Sequence, residues 1–333
     1  TEYSIYCLQQ DPHYRLDCTT RGYYQHPNTG FYLGGDMPMP PLPPVFEADV
    51  RWNSGDTTPD IDGQSILFDI TGDNSSRIWV DTPMNATALY LMNPRGHDYE
   101  IMSKHLWTTD AILTTGSGQL IKSMQGKAFL AGYLRHTGLT IISEGTLQVN
   151  GDIAGPVELR ARGTLSGTVT LKDTITFEGA LNYEGCRLMP SIGDNPLEGV
   201  ITSKKSMVLP GNVYLEIGAG FIGNSHGTSP ACSRLSVEGD LTFKGTNYIT
   251  VNLVVNDAAE YTIAECTGTL TCDVSKLQTR GLDGINYDLV VVDGKRLVLK
   301  INTARAPQQD VVWTGAESKL WDYKAQNFSV GGG

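Results

Sequence analysis

The side chains best suited to chemistry lie between residues 122 and 178. Lys122, Arg135, His136, Arg160, Arg162 and Lys172 are of the types that abstract the proton α to a uronate carboxylate, and an arginine among them could neutralise that carboxylate. On an extended strand Arg160 and Arg162, two residues apart, would share one face. The plain alternative for all six is an exposed row of solvated charges. Calcium could take over the neutralising part only with acidic residues at alternate strand positions, whereas Asp152, Glu158 and Glu178 are dispersed. Glycoside hydrolysis would need two facing carboxylates roughly 5–10 Å apart. Glu144 with Asp152, or Glu158 with Glu178, could meet only by stacking of successive turns of chain, a pattern that any acidic chain of stacked strands offers.

Other reactive types are spread more thinly. The histidines His13, His26, His97, His105, His136 and His226 lack an H-E-x-x-H spacing, and no G-x-S-x-G elbow is present, so serine or zinc hydrolase chemistry has no support. Six cysteines are too few for a disulfide scaffold. Cys7 with Cys18 and Cys266 with Cys272 are near enough to close small loops, while Cys186 and Cys232 read equally well as buried thiols. No C-x-x-C or paired-histidine spacing accompanies them, so neither a metal nor a cofactor is expected, and no catalytic, cofactor-binding or metal residue is assigned. Tyr23, Tyr24, Tyr32, Trp79 and Trp107 could stack on sugar rings, or cover the open first turn of a stacked-strand body. Sequons at Asn74, Asn85 and Asn327 would matter only in a pathway that glycosylates asparagine.

Composition narrows the partners. The 333 residues carry a formal charge of -11 without a Lys/Arg cluster, which disfavours nucleic acid and argues against sulfated or uronate polysaccharides unless a local basic patch overrides the mean field. No apolar run is long enough to span a membrane, and TEYSIYCLQQ has no signal-peptide pattern, so a mature protein or a fragment is expected. Thirty-seven glycines and only 18% charged residues describe turns and strands rather than helices.

The elements that must hold these side chains are short strands. Residues 1–45 form an aromatic segment ending in the linker-like MPMPPLPP, which takes an extended path and cannot enter a central strand. Strands are expected at 65–70, 77–80 and 88–92. Glycine-threonine-leucine steps recur at Gly145 and Gly163, with Gly179 (GALNYEG) a weaker third, at spacings of 18 and 16 residues. A coil of three short strands with turns needs about that length, and each coil buries its inner side chains only by stacking on neighbours. Leu147 with Val149, and Val169 with Leu171, would face inward while their neighbours are polar. A β-sandwich also offers short, regular strands, but N-G and D-G hairpin signals are few here. One such signal, Asp293-Gly294 between apolar runs, predicts a two-residue type I′ hairpin that closes the body.

The stretch GQLIKSMQGKAFLAGYLRHTGLTIISEGTLQVNG, residues 118–151, resembles the autotransporter-associated β-strand repeat of bacteria, on Gly118, Leu120, Lys122, Gly126, Thr140, Ile142, Gly145, Thr146, Leu147, Val149, Asn150 and Gly151. The resemblance extends from about Asp49 to the carboxyl end, with Ala128 and Phe129 in place of the usual glycine before Leu130. It implies an all-β, right-handed parallel β-helix (solenoid) with a closing hairpin region over 46–302, a linker at 303–312, and the start of a following repeat unit at 313–333, cut from a longer protein. It further implies a secreted or cell-surface, non-catalytic structural or adhesive scaffold of a Bacteroides-like bacterium, at the outer membrane, with extracellular polysaccharide or other surface proteins as partners. A polysaccharide lyase or an accessory carbohydrate-binding module is the alternative function. In that setting Asp56-Thr57-Thr58 and Asp173-Thr174-Ile175 resemble short bacterial O-glycosylation acceptors.

Overall fold

The computed structural model describes residues 63–68, 77–105, 111–178, 185–191, 197–224, 227–253 and 259–302, with backbone alone at 221–224, 227–229 and in five short strands, Tyr23–His26, Gly30–Leu33, Val50–Arg51, Val311–Trp313 and Phe328–Val330. Its regular structure is strand, apart from one 3-10 turn, Val274–Lys276, among the described residues. Most pairings are parallel, so consecutive strands cannot be joined by tight hairpins and the chain must cross over between them.

Those crossings follow a rule. From residue 119 to residue 280 the chain visits three ladders in strict rotation. The first ladder stacks Ser65–Phe68, Ala88–Met92, Gln119–Ser123, Thr140–Ile142, Val157–Arg160 and Ile175–Glu178, and its place is then taken by Met207–Leu209, Leu241–Phe243 and Leu270–Thr271. The second runs from Arg77–Val80 through Tyr99–Ser103, Lys127–Ala131, Gly145–Ile153, Gly163–Gly167, Cys186–Pro190, Val213–Asn224 and Asn247–Leu253 to Leu277–Arg280. Ile112–Thr114, Tyr133–Leu134, Val169–Leu171, Val200–Ser203, Arg234–Val237 and Ala259–Cys266 make the third, and the nine-residue strand Gly145–Ile153 serves both second and third.

Register explains the sequence spacing. Gly145 pairs with Gly163, Thr146 with Thr164 and Leu147 with Leu165, as the 18-residue step predicts. The next partner of Leu165 is Leu188, not a residue of GALNYEG, most of which lies outside the described residues. Leu188, Leu215, Ile249 and Thr279 follow in register, so the steps lengthen to 23, 27, 34 and 30 residues. Apolar members of this column, from Ala128 through Leu147, Leu165, Leu188 and Leu215 to Ile249, are no more than 1% exposed, and each contributes on the order of 1–3 kcal/mol by burial. Leu147, Val149, Val169 and Leu171 all face this core, as expected.

Antiparallel pairings also occur, that of Val311–Trp313 with Phe328–Val330 among them. Val213–Asn224 turns back on Gly227–Cys232 in a long hairpin that the sequence reading did not foresee. Tyr287–Val292 and Arg296–Ile301 form the expected closing hairpin, whose second strand pairs with Ala259–Cys266. Asp293 and Gly294 have φ of 55° and 63°, the left-handed pair that a type I′ turn demands, and the ladder ends at Val292 and Arg296, leaving three residues in the loop rather than two. Lastly, Tyr23–His26 pairs with Gly30–Leu33.

Candidate functional site

Lys122 sits where an aliphatic residue would be expected. Its ladder column reads Phe68, Leu91, Lys122, Ile142, Leu159 and Phe177, and Lys122 itself is 0% exposed. The stem continues the apolar column, and Nζ reaches the corner between first and second ladders, donating to the carbonyls of Ser123 (2.8 Å), Met124 (2.7 Å) and Glu144 (3.2 Å). Three donors thus meet three acceptors. Burial pulls its pKa down to about 7, against Glu144 and Asp98, which push it up. A base of that strength would suit proton abstraction, but this one is sealed from any substrate.

His136 is also a corner residue, 3% exposed, between Thr114 Oγ1 (2.8 Å from Nδ1) and Thr140 Oγ1 (2.9 Å from Nε2). Burial lowers its pKa to about 4, so it is neutral at pH 7. The expectation of solvated charge therefore fails for Lys122 and His136, because each closes a polar corner inside the body.

The other four cations are paired. Arg135 Nη1 meets Asp152 Oδ2 at 3.0 Å and lies over the Tyr133 ring, and Lys172 meets the same carboxylate oxygen. Arg160 pairs with Glu158 on its own strand. Arg162 does not share that face: the strand ends at Arg160, and Arg162 turns with φ 73° and lies 3.8 Å from Glu144. Glu144 and Asp152 do not meet, since they flank the two ends of the strand Gly145–Ile153 and have separate cationic partners. Glu158 is in register with Thr176, and Glu178, in register with Arg160, lies diagonal to it on the same outer face, where Arg160 is held by Glu158.

The four described thiols are free. Cys266 and Cys272 are unbridged, and Cys186 and Cys232 donate to the carbonyls of Leu159 and Thr262, both at 3.1 Å, with burial pushing each thiol up to about 11. Among the described residues no three His, Cys, Asp or Glu side chains group as a metal site. Trp79 is 46% exposed and Asn85 is exposed, His97 and His105 lie at the surface, and Asp173 accepts from the Thr174 backbone N–H at 2.8 Å. Trp107, Asn74, Asn327, Asp56-Thr57-Thr58, Cys7, Cys18, His13 and His226 lie outside the described residues.

A cluster the sequence reading missed occupies the outer face of the second ladder. Arg187, Tyr214, Tyr248 and Gln278 follow one another in register, beside a column of Glu216, Thr250 and Arg280. The two tyrosine rings stack 4.4 Å apart at 9°. Arg187 lies 4.9 Å from the Tyr214 centroid and pairs with Glu216, while Arg280 lies 5.1 Å from Tyr214 and 4.7 Å from Tyr248. Its members lie 27 to 34 residues apart, beyond the period that reveals the earlier coils, and stacked register is the signal needed to find them. No protein-family model matches this chain, and no curated protein does.

Proposed function

We propose that the chain forms a right-handed parallel β-helix and acts as a non-catalytic structural or adhesive scaffold of a secreted or cell-surface bacterial protein. One observation carries the non-catalytic part: each of the six candidates for proton abstraction is already engaged, Lys122 by three carbonyls, His136 by two threonines, and the rest by carboxylates. The strict rotation through parallel ladders supports the coil path, and the strong preference of parallel crossovers for one hand supports right-handedness. The surface setting rests on the repeat-like residues at 118–151.

The test has two parts. Incubation with pectin, alginate, chondroitin sulfate and hyaluronan should leave the absorbance of unsaturated products flat, and a rise with any of them would restore the lyase reading. Negative-stain images should show rods, and compact particles would sink the β-helix.

A further inference from the structure

We infer that the outer face of the second ladder around Tyr214, Tyr248 and Arg280 is a binding site for a carboxylated sugar, a uronate unit of an acidic saccharide. The argument starts from Arg280. It is exposed, its guanidinium is held against both tyrosine rings, and among the described residues no carboxylate pairs with it. Elsewhere on this ladder the arginines have acids: Arg77 has Glu100 and Arg187 has Glu216. A guanidinium fixed by aromatic contact, with its planar fork of N–H donors unspent, is organised in advance for a planar carboxylate.

The surroundings favour a saccharide over an acidic peptide. Tyr248 is half-buried and its phenol makes no hydrogen bond to another described residue, so it can donate to or accept from a hydroxylated ligand, while Tyr214, 5% exposed, backs the site as the inner ring of the stack. Thr250, Asn252 and Gln278 add hydroxyl and amide groups on the same face, at the ~4.8 Å spacing of paired strands. A peptide adding as a strand would take the outer edge of Leu277–Arg280, which among the described residues is paired on one side only, whereas the stacked rings, Thr250 and Asn252 lie inward of that edge on the face of the sheet. The charge sign also fits: two arginines and one carboxylate, Glu216, leave one positive charge for one anionic unit. This local patch overrides the overall charge of -11 at short range, while salt screens the more distant repulsion. The inference rests on this geometry alone and stands apart from the scaffold proposal.

Isothermal titration of the whole chain with oligogalacturonate, with its neutral methyl ester and with poly-glutamate, provides the test. Saturable, salt-weakened binding of oligogalacturonate is expected, with affinity at least tenfold lower for Arg280→Ala, partly kept by Arg280→Lys, lowered about threefold by Tyr248→Phe and unchanged by Arg160→Ala. Thermal melts of each variant separate lost binding from lost folding. Absence of binding by the wild type, or undiminished binding by a folded Arg280→Ala variant, overturns the site. Equal binding of poly-glutamate overturns the saccharide assignment in favour of an acidic peptide.

Discussion

Single residues inside this body explain why a search for catalytic side chains ends in architecture. Lys122 and His136 combine burial with a shifted pKa, which commonly marks function, yet each is enclosed by partners that use all its polar atoms. Their presence makes stability depend on pH. In the unfolded chain His136 titrates near 6.5, and in the native state near 4. Above pH 6.5 neither state binds the proton and the full stability is present. As pH falls from 6.5 to 4 the unfolded chain gains a proton that the native chain does not, so stability drains by about 3 kcal/mol, then levels off. Urea midpoints measured from pH 7 down to 4 should fall more steeply for the wild type than for His136→Gln, and parallel curves would mean that the imidazole titrates freely.

At the scale of elements, turns decide where strands stop. Gly145 follows Glu144 at the corner that Lys122 closes, with φ 71°, and a Cβ there would stand 2.2 Å from the Met124 carbonyl oxygen. That oxygen is backbone and cannot move aside cheaply. Gly294 has a similar φ of 63°, but nothing lies within 4 Å of a Cβ placed there, so its substitution carries only conformational strain. Gly294→Ala should therefore cost about 1 kcal/mol, and Gly145→Ala several times more, both read from denaturant midpoints. Equal costs would show that the corner is loosely packed. The hairpin matters beyond its own turn, because Arg296–Ile301 covers the edge of Ala259–Cys266 and buries Leu297, Leu299 and Ile301.

Across the whole molecule, protection should follow pairing. Strands such as Gly163–Gly167 and Cys186–Pro190 have neighbours on both sides and inner residues that are fully buried, whereas among the described residues the Val213–Asn224 extension past Ala219 pairs only with Gly227–Cys232. Native-state hydrogen exchange should be slowest at Leu165 and Leu188 and at least tenfold faster at Gly220 and Ala231. Uniform rates would contradict a body built rung by rung.

What was legible in the sequence is the part that repeats. Glycine-threonine-leucine steps at Gly145 and Gly163 and the Asp293-Gly294 turn determined strand type, inward faces and the closing hairpin, because side-chain alternation and left-handed φ are local properties of the chain. The tertiary structure alone decided which distant residues meet. Corner loops can lengthen from one step to the next at a cost that grows only slowly with length, so register persists after sequence period is lost. For that reason Lys122 looked like a surface base and is buried, Arg160 and Arg162 looked like one face and part at a turn, and Arg187, Tyr214, Tyr248 and Arg280 showed no relation until stacking set them side by side.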